Sequence, residues 1–456
     1  MTDLEFPPGF LWGAATASYQ IEGGVAEGGR GPSIWDTFTA VPGKVLDGAT
    51  GEVACDHYHR YPGDIGLLAD LGLGAYRFSV AWPRVMPDGR TKSAAGLGFY
   101  DRLVDELLRR DVVPVLTLYH WDLPQALEDA GGWPSRDTAF RFAEYAAVVH
   151  EALGDRVHQW TTINEPFCAA FLGYGSGVHA PGGQDYDTAL VAAHHLLLGH
   201  GLAVRALAGQ ARHEFSLALN FAPAIPDGSS AAHLEAARKF DGIHNRFFLD
   251  PVLGKGYPAD VMADVAHHGG RFAASVRDGD TDVIAAPIDW LGVNYYAPAR
   301  VTPLADPLAP GNCPLPGLRG LDVLPAPGPL TAFGWEQAPG ELTSLLGWIS
   351  ARSGGLPMVV AENGASFVDE VVDGRVFDAA RVNYFLEHLH AVHDAIRAGA
   401  DVRGYFAWSL LDNFEWAMGY SQRFGLVHVD FETQARTVKD SGRFLGRVAK
   451  ANALPH

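Results

Sequence analysis

Short unbroken apolar runs recur along this chain, separated by segments in which apolar residues return every third or fourth position. The first pattern suits a strand buried on both faces, the second a helix with one apolar side. Eight strand-like runs are legible: 10–18 (running to an end near Gln20 and Glu22), 75–82, 113–119, 159–165, 215–220, 290–296, 357–362 and 404–411. Between them, helix faces are marked by Ile65, Leu68 and Leu71, by Phe99, Leu103 and Leu107, and by Phe142, Tyr145, Val149 and Leu153. An apolar helix is expected around 190–207, and further faces at Phe240, Ile243 and Phe247, at Leu342, Leu345 and Ile349, and at Val382, Phe385, Leu389, Val392 and Ile396. Eight strands alternating with helices, with no composition break between halves, predict an α/β protein. Its expected form is one closed (β/α)8 barrel, the TIM-barrel architecture, over residues 1–456 with long rim loops. Two doubly wound domains would be the alternative. They would call for a glycine-rich nucleotide turn between strand and helix, and the Gly pairs at 23–24 and 28–29 do not supply one. Residues 297–330 carry nine prolines and no period, which predicts a functional rim loop.

Two strand-like runs end in a carboxylate. Val359-Val360-Ala361 leads into Glu362-Asn363-Gly364, and Trp160-Thr161-Thr162-Ile163 leads into Asn164-Glu165-Pro166. A carboxylate at a strand mouth is costly unless it is paired or used. Either glutamate taken singly could be a structural ion-pair partner. Taken together, at the C-terminal ends of strands of one barrel, they can meet in one pocket, and two carboxylates flanking a bond are what glycosidic cleavage requires. The other expected strand ends bring Gln20, Arg77, His120, Trp121, Asn294, Tyr296, Trp408, Glu415 and Trp416. Amides, carboxylates and an imidazole interleaved with indoles suit a sugar, whose hydroxyls need hydrogen bonds and whose C–H faces stack on flat rings.

The chain has 456 residues, 48% of them hydrophobic, enough for a large core, and a formal net charge of −19. That acidity argues against nucleic acid and against anionic membrane surfaces as partners. Cys55, Cys168 and Cys313 are widely spaced and form no C-x-x-C pair, so a reducing, cytoplasmic setting is expected. The first residues show no basic-then-apolar leader, and no apolar run is expected to reach the roughly 18 residues of a spanning helix. Asp56-His57-Tyr58-His59 contains a His-x-His pair, but no further ligands at metal spacing accompany it, so no metal and no cofactor are predicted. His194-His195 falls inside an apolar helix and reads as packing. Oligomeric state stays open.

The chain resembles the retaining β-glycosidases of glycoside hydrolase family one, the β-glucosidase group, over nearly its whole length. The resemblance rests on a series of motifs in family order. These are Phe10-Leu11-Trp12-Gly13-Ala14-Ala15-Thr16-Ala17-Ser18-Tyr19-Gln20-Ile21-Glu22-Gly23, Tyr76-Arg77-Phe78-Ser79, and Leu118-Tyr119-His120-Trp121-Asp122-Leu123-Pro124. Asn164-Glu165-Pro166, Asn294-Tyr295-Tyr296, Glu362-Asn363-Gly364 and Trp408-Ser409-Leu410-Leu411-Asp412-Asn413-Phe414-Glu415-Trp416 complete it.

The resemblance implies Glu165 as acid/base and Glu362 as nucleophile. It implies Gln20, His120, Asn164, Glu415 and Trp416 as ligands of sugar hydroxyls, with Trp408 beneath the ring and Trp121 and Phe424 in the same substrate-binding set. Arg77 and Tyr296 are implied as partners of Glu362, Asn294 as support beside that pair, and Trp335 and Cys168 as walls of the aglycone side. The implied substrates are cellobiose, short β-linked oligosaccharides and aryl or alkyl β-glucosides, with β-galactosides and β-fucosides besides. A catalytically inactive sugar-binding member is the alternative. Ala361 stands where the family usually has Thr, a departure expected to loosen a local hydrogen bond. Relatives acting on 6-phosphorylated sugars carry a Ser and a Lys in the last loop; here Glu415 and Gln422 stand there.

Overall fold

The apolar runs form eight strands in the computed structural model, which describes residues 4–455 apart from 210–212, 269, 313, 314 and 317. Residues 1–3 and Cys313, both used in the sequence reading, lie outside the described residues. The strands are β1 Leu11–Ala15, β2 Ala75–Ser79, β3 Val113–Tyr119, β4 Gln159–Asn164, β5 Glu214–Phe221, β6 Trp290–Tyr295, β7 Met358–Asn363 and β8 Val402–Trp408. They pair in chain order, all parallel, and β8 returns to β1 to close a barrel. Outside lie α1 His57–Leu71, α2 Ala94–Arg109, α3 Arg136–Leu153, α4 Tyr186–Leu207, α5 Ala231–Asp241, α6 Phe247–Val252, α7 Pro339–Ser353, α8 Ala379–Arg397 and α9 Asp440–Ala451. α2 shows the logic of the outer ring. Ser93 caps it through Gly96 N–H at 3.1 Å, and Phe99, Tyr100, Leu103, Val104 and Leu107 form its buried stripe.

The barrel interior is filled by side chains, Ala15, Ala75, Val115, Val359 and Phe406 among them. Phe406 leaves no room across from it: a Cβ on Gly13 would stand 2.4 Å from its ring. This is why β1 is built from small residues.

Several boundaries differ from the expectation. β1 ends at Ala15, and Ser18–Ile21 coils into a single helical turn that carries Gln20. β2 stops at Ser79 because Trp82–Val85, with Pro83 in its first turn, is helical. β8 likewise stops at Trp408, short of Leu411. α1 begins at His57, two turns ahead of the face marked by Ile65, Leu68 and Leu71. The helix face at Phe240, Ile243 and Phe247 is split among α5, a wide i+5 turn over Gly242–Arg246, and α6. The stretch 297–330 is not structureless. Ala299–Pro303 pairs antiparallel with Leu321–Val323 and parallel with Ala224–Pro226, Pro303 falling at a strand end where no ladder donor is needed. α4 is long and apolar enough by composition to cross a membrane, contrary to the expectation that no segment would be. Most of its apolar window is buried inside the protein, as in a core helix.

Candidate active site

A parallel barrel sends the C-terminal ends of all its strands to one face. At that face the ends and their loops enclose a cavity of about 350 Å³. Glu165 enters it directly after β4 and Glu362 from the penultimate position of β7. Glu165 has a left-handed backbone, φ 46°, so the chain turns as the strand ends. Pro166 then excludes a further ladder bond.

The two carboxyl groups are held by unlike partners. Glu362 Oε1 accepts from Arg77 Nη1 at 2.6 Å and its Oε2 from the Tyr296 hydroxyl at 2.7 Å. Glu165 Oε1 accepts from Asn294 Nδ2 at 2.7 Å, and its Oε2 from Cys168 Sγ at 3.1 Å. The guanidinium and phenol thus serve Glu362, while Glu165 has one amide and one thiol. Burial, and then the charge on Glu362, push the Glu165 carboxyl up to about 8; the Asn294 and Cys168 bonds and Arg77 oppose the rise. Burial likewise holds Tyr296 well above its ordinary range, so it remains an O–H donor.

Arg77 also fixes the neighbouring hydrogen bonds. Its Nη2 donates at 2.7 Å to Asn164 Oδ1, and a guanidinium cannot accept, so that atom is the oxygen. Asn164 Nδ2 therefore faces His120 Nε2, at 3.1 Å, and Nε2 must be the unprotonated nitrogen. The proton of neutral His120 then sits on Nδ1, which is buried and has no protein partner among the described residues. Burial keeps this ring well below its usual pKa, in agreement with the neutral form. An N–H donor thus stands ready beside the cavity. Gln20 Oε1 and Glu415 Oε2 are unpartnered in the same sense, as acceptors. The Gln20 amide nitrogen is already committed to Asn413 Oδ1 and to the Phe414 carbonyl, at 3.0 and 2.9 Å. Glu415 is pushed up to about 8, chiefly by burial and then by Glu362 and Glu165.

Rings supply the walls. His120 lies nearly parallel to Trp408, centroids 5.8 Å apart, and Trp121 packs on Trp416 at 4.6 Å. Across the cavity, Phe333 stacks on Trp335 at 4.2 Å, with Tyr296 and Phe424 against Trp335. The arrangement offers one paired carboxylate, two carboxyls (Glu165 and Glu415) that keep a proton near neutral pH, hydrogen-bonding groups of both senses, and flat apolar faces.

Of the predicted residues, His120, Trp121, Glu165, Cys168, Tyr296 and Trp335 line the cavity, as do Glu362, Trp408, Glu415, Trp416 and Phe424. Arg77, Asn164 and Asn294 stand behind it as holders of the carboxyl groups. Asn294 was expected beside the Glu362 pair; its amide instead reaches Glu165 and, at 3.1 Å, Asn164 Oδ1, because it points across from β6 toward β4. Ala361 is buried and gives its carbonyl to Arg77 at 3.3 Å, while Arg77 Nε has no partner among the described residues. His57 and His59 do not converge. The first is buried on Asp64 at 2.8 Å, and the second is exposed between Asp56 and Glu27. His194 joins Tyr257 and Asp280 in a buried packing network. The sequence reading missed Leu172, Val178, His179, Asn220 and Met418, all of which line the cavity. Asn220 was findable as a polar strand end. Leu172 and Met418 come from short helical turns, Cys168–Ser176 and Trp416–Met418, and Val178 and His179 from a loop, none with a periodic signal.

Three comparisons bear on this site. The sequence model described as Glycosyl hydrolase family 1 matches residues 2–454. The chain is 50% identical over 453 residues to the thermostable beta-glucosidase B of Thermobispora bispora, covering 99% of this chain and 92% of that protein. It is 49% identical over 453 residues to a bifunctional beta-D-glucosidase/beta-D-fucosidase of Bifidobacterium breve, with 96% of each covered. Among solved structures, the psychrophilic beta-glucosidase BglU of Micrococcus antarcticus superposes with a TM-score of 0.95 at 46% identity, covering 99% of this chain and 100% of that one.

Proposed function

The chain belongs to glycosyl hydrolase family 1, and from that premise we propose how its site divides the work of a retaining exo-β-glucosidase. Glu362 is the nucleophile and Glu165 the acid/base. The observation that carries this assignment is the unequal treatment of the two carboxyl groups, with a guanidinium at 2.6 Å on one and none on the other. Glu362 attacks C1 of the sugar as Glu165 passes its proton to the departing oxygen, leaving a glycosyl ester on Glu362. Water then adds to C1, giving its proton to Glu165, and the ester bond breaks. The chain is a β-glucosidase by its relatives, and small β-glucosides are its substrates. An inactive sugar-binding role finds no support beside them.

β-Fucosides are proposed as further substrates, supported by the bifunctional relative, and β-galactosides on the earlier resemblance. For the aglycone, the outer wall is mostly apolar: Leu172, Phe333, Trp335, Met418 and Val178, the last 48% exposed, against the amide of Asn220. That lining suits alkyl and aryl aglycones better than a second sugar, which would leave hydroxyls without partners. We read residues 1–456 as one catalytic domain. A cytoplasmic location is supported by two free, buried cysteines, Cys55 and Cys168, and the acidic surface charge supports neither nucleic acid nor membrane as a partner. The test is trapping. A 2-deoxy-2-fluoro-β-glucoside with a dinitrophenyl leaving group should label the peptide holding Glu362 stoichiometrically; a label elsewhere would overturn the assignment.

A further inference from the structure

Each oxygen of Glu165 has its own donor, and the two donors are unlike. Asn294 is a strong amide donor to Oε1 from another strand, whereas Cys168 reaches Oε2 from the same segment. The second contact follows from the backbone. With Glu165 at φ 46° the chain doubles back, and the Cys168 N–H returns to the Glu165 carbonyl at 3.0 Å. The side chain three residues on is thereby laid against the carboxyl that precedes it. Cys168 is 7% exposed and lines the cavity. Burial, and then the charge of Glu165, push its thiol well above the ordinary range, so it keeps its proton and is a donor rather than a nucleophile.

We propose that Cys168 is a positioning residue for Glu165: its S–H, given to Oε2, fixes the carboxyl at the setting that Asn294 holds from the other side and favours the ionised form. The proposal rests on the reading of Glu165 as acid/base. In the first step the proton leaves Glu165 for the departing oxygen as the C1–O bond breaks, and the thiol bond to Oε2 strengthens on the carboxylate left behind. In the second step that carboxylate takes a proton from water while the water oxygen joins C1 and the Glu362 ester opens. The thiol proton stays on sulfur throughout. Other charged or titratable groups face Glu165 from every side: Glu362 from β7, Arg77 from β2, Tyr296 after β6 and Glu415 after β8. None of them changes in a Cys168 variant, so a shift can be assigned to the thiol.

The experiment compares wild type, Cys168→Ala and Cys168→Ser in pH profiles and on dinitrophenyl β-glucoside, where hydrolysis of the glycosyl-enzyme limits kcat. Loss of a donor to the ionised form raises the Glu165 pKa. The alkaline limb of kcat/KM in Cys168→Ala should therefore move up by about half a pH unit. Its kcat on the dinitrophenyl substrate should fall roughly three- to tenfold while kcat/KM changes less than about twofold, because the second step needs the carboxylate. Cys168→Ser, a stronger donor, should carry the limb below that of wild type. A limb that does not move in either variant, or a Ser variant that behaves like Ala, overturns the proposal. If Cys168→Ala does not fold, the limb of Cys168→Ser decides: displacement downward supports the thiol bond, and an unmoved limb overturns it. Azide rescue of Glu165→Ala tests the premise separately. Without rescue the acid/base assignment falls; with rescue and no Cys168 effect, only this proposal does.

Discussion

Replacing Arg77 by Met should cost this site more than any other change outside the two glutamates. Arg77 and Glu362 meet at 2.6 Å with side chains 1% and 4% exposed, so neither charge has water to fall back on. Removing one partner of a buried pair costs about 3–5 kcal/mol, because the other charge is left uncompensated. Met fills much of the same space, so the loss is mainly electrostatic. It falls on a cavity that already holds Glu165, Glu362 and Glu415. If the whole cost lands on the transition state, kcat/KM on a nitrophenyl β-glucoside drops by about 10²- to 10³-fold or somewhat more. If part lands on folding, Tm falls with it, so both are measured on the same preparation. Arg77→Lys should lie between. It keeps the charge, but a single ammonium cannot reproduce the fork that reaches Glu362, Asn164 and the Ala361 carbonyl together. An Arg77→Met enzyme within tenfold of wild type in kcat/KM, at unchanged Tm, would refute the reasoning.

Glu165→Ala should keep the first step on substrates with good leaving groups, lose it on alkyl glucosides, and regain turnover with azide; equal loss on both substrate types would contradict an acid role. Because Glu165 must be protonated in the first step and its carboxyl is pushed up to about 8, kcat/KM should hold below that pH and fall as pH rises through it, which a pH series reads directly. A 6-phosphorylated nitrophenyl glucoside should be a poor substrate. Gln422 bonds Ser366, Arg423 is engaged by Asp412 at 2.7 Å, and each phosphate charge about 4 Å from an ionised Glu415 would cost about 4 kcal/mol at an effective dielectric constant of 20. The discrimination should widen as pH rises through about 8, where Glu415 ionises; equal kcat/KM on the two forms would rule out this part for Glu415.

Buried strands announce themselves in a sequence because both faces must be apolar. Val113–Tyr119 is legible to the residue and Gln159–Asn164 to within one, and their polar ends lead directly to His120 and Glu165. What was not legible follows from long-range geometry. The end of β1 was read too long because Thr16 and Ala17 are as small as the strand before them, and only the turn Ser18–Ile21 shows where extension stops. The direction of the Asn294 amide depends on how β6 stands to β4 in the closed barrel, which no local pattern encodes. Val178 and His179 reach the cavity from a loop that follows the wide turn Cys168–Ser176, and nothing periodic marks them. The short strands Ala299–Pro303 and Leu321–Val323 were hidden by prolines at their margins, which read as loop until a partner is seen.

The most direct measurement is the anomeric form of the first sugar released, followed by proton NMR within the first minutes of hydrolysis, before mutarotation blurs it. Two displacements at C1, the first by Glu362 and the second by water assisted by Glu165, return the starting configuration, so β-glucose should appear first and the α-form only later. If α-glucose appears first, a single direct displacement by water is at work, and the assignment of Glu362 as nucleophile is wrong.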